Sequence, residues 1–286
     1  MSARVHTVAV VGAGTMGLGI AQVCATFGYN TLIYDVREEQ VLLALKTIEK
    51  NLTWLVEKEK LSSEQRIEIL SRIKPVFQLS AVKAYIVIEA AIEKLEIKQQ
   101  LFSELEKING VGTILASNTS SISITKIAEG LKRPANCIGL HFFNPADRMK
   151  LVEIISGAAT DPRVVDAMKE FSSQIGKTAV LAKDSPGFIV NRVARHFYIE
   201  SIRHLEENIA GVETIDALLR SSGFKMGPFE LMDLIGVDTN LAVTKSVYEG
   251  FQQDPKFKPS RTQQQLVDRG DLGRKAGRGF YDYSIK

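Results

Sequence analysis

The chain is poor in cysteine: only Cys24 and Cys137 occur, and neither belongs to a C-x-x-C or metal-ligand spacing. That argues against a disulfide framework or a cysteine-based metal site, and two buried thiols in a reducing compartment are expected. Charge of one sign is also scarce. The formal net charge is +3, too small to point to nucleic acid, so the basic residues are expected mainly on solvated faces. No apolar run approaches the ~20 residues of a membrane span, so none is expected. The first strand pattern opens within about five residues of the N-terminus, so no signal or transit peptide is expected. A cytoplasmic protein is the expectation by elimination. Low-complexity segments and convincing internal repeats are absent as well.

What is present is a soluble globular composition, 45% hydrophobic and 24% charged over 286 residues, enough for one large domain or two ordinary ones. The first chemistry is the run Val8-Ala9-Val10-Val11-Gly12-Ala13-Gly14-Thr15-Met16-Gly17. An apolar strand pattern feeds a G-x-G-x-x-G turn, a helical pattern follows, and Asp35 closes the next strand run, Thr31–Tyr34. This order is the dinucleotide-binding fingerprint. Gly12 allows the tight turn, Gly14 lets backbone approach a pyrophosphate, and Gly17 lets helix pack close to strand. Thr15 and Met16 open the helix, whose N-terminal N–H groups favour phosphate. Asp35, about 20 residues on, is placed to accept from ribose hydroxyls. Arg37 raises the question of a 2′-phosphate, but the Asp35 charge would repel one, so NAD is expected over NADP.

Strand patterns alternate with helical ones through the first two-thirds. Strands are expected at 6–11, 31–35, 85–89, 113–116, 137–142, 151–155 and 179–182. Helices are expected near 15–28, 37–60, 64–71, 94–108, 122–129 and 161–175. The stripe Val41, Leu45, Ile48, Leu52 and Leu55 makes 37–60 the first half of a helical hairpin inserted between two strands. Lys46, Lys50, Lys58 and Lys60 decorate it, either as a solvated face or to meet phosphates of a bulky anionic substrate. The character changes at Asp184-Ser185-Pro186-Gly187, where Asp or Ser as N-cap before Pro predicts a helix start. From there helices are expected near 187–208, 213–222, 227–235, 238–250 and 260–269, with no strand pattern. The fold class is therefore α/β: a Rossmann-type dinucleotide-binding domain over 1–184 with an inserted helical hairpin, then an all-helical domain over 185–286. An apolar surplus in the second domain suggests a homodimer interface.

A second constellation carries the reaction. It comprises Ala116-Ser117-Asn118-Thr119-Ser120-Ser121, His141-Phe142-Phe143-Asn144-Pro145, Lys150-Leu151-Val152-Glu153 and Gly187-Phe188-Ile189-Val190-Asn191-Arg192. With Met226–Leu231 and the terminal Gly277-Arg278-Gly279-Phe280-Tyr281, these motifs resemble the short-chain L-3-hydroxyacyl-CoA dehydrogenases of the single-function type. Among these, the chain is similar to the bacterial 3-hydroxybutyryl-CoA dehydrogenases. The resemblance runs over nearly the whole chain. It implies His141 as catalytic histidine and Glu153 as the carboxylate paired with it. It implies Ser120 and Asn191 at the substrate's reacting oxygen region, and Glu93, Lys98 and Asn144 lining the nucleotide site beside Asp35. Ser120 would also reach toward the nicotinamide. Separately from the resemblance, the lysine-bearing hairpin, Lys46 above all, favours a CoA substrate.

The chemistry fits these residue types. Oxidising a secondary alcohol removes a hydride from carbon and a proton from oxygen. A bound nicotinamide takes the first, and a histidine titrating near working pH takes the second. A carboxylate on the far ring nitrogen fixes the tautomer and stabilises the imidazolium. His141 and Glu153 lie in neighbouring strand patterns joined by a short loop, the geometry of a hairpin with facing side chains. Taken singly, His141 is an ordinary half-buried histidine, Glu153 an edge-strand acid, Ser120 a helix cap and Asn191 a helix-surface amide. Glu93 and Lys98 could be a surface charge pair. Their joint arrangement favours the site. The loop departs from the family pattern in carrying charges at Asp147 and Arg148. Two other readings stand beside the first: a hydroxy-acid or sugar-acid dehydrogenase of the lambda-crystallin type, and a non-catalytic nucleotide-binding protein.

Overall fold

The structure is a computed structural model that describes residues 7–284; residue 6 of the first expected strand lies outside the described residues. The chain divides between Ser185 and Pro186 into two compact units.

In the first unit the elements run β1 (Thr7–Val11), α1 (Thr15–Thr26), β2 (Asn30–Tyr34), α2 (Glu38–Glu57), α3 (Ser63–Arg72), β3 (Ile73–Val76), β4 (Ile86–Glu89) and α4 (Leu95–Ile108). They continue as β5 (Ile114–Ser117), α5 (Ile124–Ile127), β6 (Cys137–Phe142), β7 (Leu151–Ser156), α6 (Pro162–Gln174) and β8 (Thr178–Lys183). All eight strands share one sheet, in the order β3-β2-β1-β4-β5-β6-β7-β8. Neighbours pair parallel except at β6 and β7, which are antiparallel. The order reverses between β1 and β4, and in open sheets ligands bind beyond the strand ends at such a switch point. Central strands are buried on both faces, so they read as unbroken apolar runs: β4 is Ile-Val-Ile-Glu and wholly buried. Sequence periodicity misses β3 because its Ile-Lys-Pro-Val is short and polar. As the edge strand it tolerates Pro75, which has no N–H for the ladder.

The inserted hairpin is present as α2 and α3. Val41, Ala44, Ile48 and Leu52 form its buried stripe, with Leu45 and Leu55 half-buried against the same core. Ser62 and Gln65 close a capping box at the start of α3. Arg66 ties α3 to α2 through Glu49 at 2.6 Å and Thr53 at 3.0 Å.

The second unit is helical: α7 (Val190–Glu206), α8 (Val212–Ser221), α9 (Pro228–Ile235), α10 (Val237–Gly250) and α11 (Arg261–Asp268). Tyr198, Ile202, Ile215, Phe229 and Met232 form its core. The expected cap at Asp184 or Ser185 is not the one found. Gly187 and Phe188 have φ of +72° and +49°, so the chain turns out of helical geometry and α7 begins only at Val190. Asp184 instead caps α5, accepting from Ser123 Oγ at 2.7 Å and from the Ile124 and Thr125 amides at 3.1 and 2.8 Å. Two buried aspartates explain the last two family motifs. Asp216 accepts from the Phe229 and Glu230 amides and the Tyr281 hydroxyl. Asp233 accepts from the Phe280 and Tyr281 amides and the Tyr283 hydroxyl. A Cβ on Gly227 would lie 2.2 Å from Asp216, and one on Gly279 would lie 2.1 Å from Asp233. Met226–Leu231 and Gly277–Tyr281 are thus structural ties of the helical unit.

Candidate active site

The site grows from strand ends in the first unit. At β1 the chain turns through Gly12, whose φ of +104° suits glycine and whose amide donates to Tyr34 O at 2.7 Å. A Cβ there would lie 2.4 Å from Ala90 O, and one on Gly17 would lie 1.7 Å from Gly12 O. Around Gly14 nothing lies within 4 Å of an added Cβ. The first and third glycines are required by the protein's own packing, and the second faces open space. Gly14 and Thr15 are exposed and Met16 half-buried. No side chain caps α1 at Gly14, which leaves the first-turn N–H groups for an anion. Asp35, just past β2, accepts from the Ala13 amide at 2.8 Å and the Arg37 amide at 3.0 Å. Its carboxylate therefore braces the glycine turn while remaining half-exposed. This cradle suits the pyrophosphate and ribose of a dinucleotide.

At the end of β4, Glu89 and Lys98 are buried together, 0% and 1% exposed. Lys98 Nζ donates to Glu89 Oε1 at 2.6 Å and lies 3.2 Å from Glu93 Oε2. Glu89 also accepts from the Ala91 amide at 2.7 Å and Ser117 Oγ at 2.6 Å. Glu93 Oε1 then accepts from Thr119 Oγ1 at 2.5 Å and the Ser120 amide at 3.0 Å. An unbroken ionic chain thus runs from Glu89 to the loop carrying Ser120. Sequence reasoning missed Glu89, although an acid directly after Ile-Val-Ile is a visible signal. Asn118 was also missed: its Oδ1 accepts from the Phe142 amide at 2.8 Å and fixes the end of β6.

His141 and Glu153 face each other across the β6–β7 pair. His141 Nδ1 and Glu153 Oε2 are 2.7 Å apart, with both residues buried. Phe143 packs on the imidazole with ring centroids 4.6 Å apart. The β6–β7 loop begins with a cis Asn144–Pro145 bond and leaves Asn144 exposed. Lys177 Nζ holds this loop through Ala146 O at 2.6 Å and Met149 O at 2.8 Å. The unexpected charges in it are accounted for. Arg148 lies near Asp147 and over the Trp54 ring of α2, 5.9 Å from its centroid. Lys46 is exposed on α2. In the helical unit Asn191 is half-buried in the first turn of α7. Among the described residues no His, Cys, Asp and Glu group could hold a metal ion. No described helix is long and apolar enough to cross a membrane.

Comparison with known proteins agrees with this geometry. Residues 7–185 match the family model of the 3-hydroxyacyl-CoA dehydrogenase NAD binding domain, and residues 187–283 match that of the C-terminal domain. A 3-hydroxyadipyl-CoA dehydrogenase of Escherichia coli is 50% identical over 99% of this chain, which spans 60% of that protein's length. A 3-hydroxybutyryl-CoA dehydrogenase of Bradyrhizobium diazoefficiens is 41% identical, covering 99% of this chain and 97% of the relative. The crystal structure of an (S)-3-hydroxybutyryl-CoA dehydrogenase from Ralstonia eutropha superposes with a TM-score of 0.94 at 42% identity, covering 98% of this chain and 100% of that one. A glycine cradle for a dinucleotide, a buried His–Glu pair and matches to both family domains lead to one conclusion: the chain belongs to the 3-hydroxyacyl-CoA dehydrogenase family.

Proposed function

We propose that this protein interconverts (S)-3-hydroxyacyl-CoA and 3-oxoacyl-CoA using NAD. The observation that carries the reading is the buried 2.7 Å contact between His141 Nδ1 and Glu153 Oε2, a base held in one tautomer. When bound, the nicotinamide supplies the hydride acceptor for oxidation and the hydride donor for reduction. On oxidation His141 takes the substrate's hydroxyl proton at Nε2, the ring nitrogen not turned toward Glu153, and in reduction it returns it. Glu153 accepts from Nδ1–H throughout and stabilises the imidazolium. Ser120 and Asn191 meet the substrate's oxygen region, where a hydroxyl and an amide can donate to the forming carbonyl. Gly12, Gly14, Thr15, Met16 and Gly17 cradle the pyrophosphate, and Asp35 accepts from the ribose hydroxyls. Glu93, Lys98 and Asn144 line the rest of the nucleotide site, Lys98 acting through Glu93. Lys46 on the exposed arm meets the CoA phosphates.

Asp35 favours NAD over NADP, because its carboxylate would face a 2′-phosphate. The relatives' names give both a butyryl and an adipyl substrate. A homodimer through the helical unit is supported by its exposed apolar side chains, among them Val193 at 67% and Leu218 at 65%. A cytoplasmic location fits the buried free thiols.

The deciding experiment follows NADH absorbance, its loss when acetoacetyl-CoA is added with NADH and, separately, its gain when a free sugar acid is added with NAD. Consumption with the thioester alone is expected. Turnover with the sugar acid instead would favour the lambda-crystallin type, and tight NADH binding without turnover would leave a binding protein.

A further inference from the structure

Arg195 is the outstanding charge of the helical unit. It is 3% exposed, and every hydrogen bond it makes goes to a neutral acceptor. Nε donates to Asn191 O at 3.0 Å, and Nη1 donates to Asn240 O and Thr244 Oγ1, both at 2.9 Å. The guanidinium lies over the Tyr198 ring, 4.8 Å from its centroid. Among the described residues the only titratable group that acts on its charge is Tyr198, no carboxylate, and Asn240 Nδ2 is a buried donor with no hydrogen-bond partner. Burial pulls the guanidinium down to about 10, so it is still a cation at neutral pH.

A charge buried without a counterion is costly, and the cost decides between two roles. Tying α7 to α10 needs donors only, and a neutral glutamine could supply them. A positive charge in a neighbourhood short of acceptors is explained by an anion that arrives with the ligand. The position indicates which part of the ligand. Asn191 and Arg195 are four residues apart on one face of α7, about 6 Å along its axis. Helical side chains lean toward the N-terminus, as the Nε contact with Asn191 O shows. The guanidinium therefore lies beside the turn that carries Asn191.

We propose that Arg195 receives a carboxylate at the far end of the acyl chain, making CoA thioesters of 3-hydroxy and 3-oxo dicarboxylic acids the preferred substrates. The inference rests on the reading that Asn191 meets the substrate's oxygen region. A few methylenes beyond the reacting carbon then bring a terminal carboxylate within reach of the guanidinium, whose planar fork suits it.

The test compares kcat/KM for 3-hydroxyadipyl-CoA and 3-hydroxyhexanoyl-CoA, which match in length and differ in the terminal group. The wild-type protein should favour the dicarboxylyl substrate by roughly 10- to 100-fold, as a hydrogen-bonded charge pair supplies. In Arg195→Gln that ratio should fall toward one, and in Arg195→Lys it should fall part of the way. A purely structural arginine would lower both rates and leave the ratio alone, and that result would overturn the proposal. The wild-type comparison needs no variant, so equal use of the two substrates overturns it even if Arg195→Gln fails to fold. Acetoacetyl-CoA separates this failure from that of the parent reading: turnover of it without dicarboxylyl preference removes only the role of Arg195.

Discussion

His141 and Glu153 are directly opposed in the antiparallel β6–β7 pair, and their side chains meet at 2.7 Å inside the protein. Both strands are otherwise packed with apolar residues, so the pair stands in surroundings that water cannot readily screen. A buried carboxylate in that position holds the imidazole ring in one orientation.

The glycine turn separates packing from ligand binding. Gly17→Ala would place a Cβ 1.7 Å from Gly12 O and should cost about 1–3 kcal/mol or more, as overpacking does. Gly14→Ala meets open space and should keep the melting temperature while weakening NADH binding. Thermal melts and NADH titrations check this, and a destabilised Gly14→Ala with normal NADH affinity would contradict it.

Lys98→Met should be severe because it leaves the buried Glu89 without a counter-charge. The expected loss is about 3–5 kcal/mol in urea unfolding, and the double change Glu89→Leu with Lys98→Met should recover part of it. A loss below ~1 kcal/mol for the single change would show that the pair contributes little.

Cofactor choice rests on Asp35. Like charges placed together cost several kcal/mol, so NADH should be preferred over NADPH by well over tenfold in kcat/KM. Asp35→Ser should narrow the preference, with Arg37 available to a 2′-phosphate. A wild-type preference for NADPH would contradict the assignment.

The two cysteines should be silent. Burial pushes the Cys24 thiol up to about 12 and raises that of Cys137 as well, so neither should react with a thiol reagent at pH 8 until the protein unfolds. The folded state holds these protons more tightly than the unfolded state. Their contribution to stability is therefore complete below the unfolded thiol range near 8.5 and is lost as pH rises toward about 12. Urea unfolding between pH 8 and 10 should show wild type losing more stability than a Cys24→Ala variant.

Much of this was legible in the sequence because the signals are local. The Gly12–Asp35 run specifies a turn, and His141 and Glu153 sit at positions that a short hairpin brings together. The edge strand β3 was not legible, since Ile-Lys-Pro-Val owes its pairing to β2 and not to its own pattern. The start of α7 was misread because Asp184 and Pro186 signal a cap, while two positive φ angles displace the helix to Val190. Arg195 could not be singled out either. A helical arginine reads as surface until tertiary packing shows it buried among neutral acceptors.

The most direct test of the central claim is acetoacetyl-CoA reduction by His141→Ala and Glu153→Gln, with NADH binding measured on the same samples. Both variants should bind NADH as the wild type does, while turnover falls by roughly 10²- to 10⁴-fold, the usual worth of a positioned acid or base. Full activity in either variant would contradict the His141–Glu153 account.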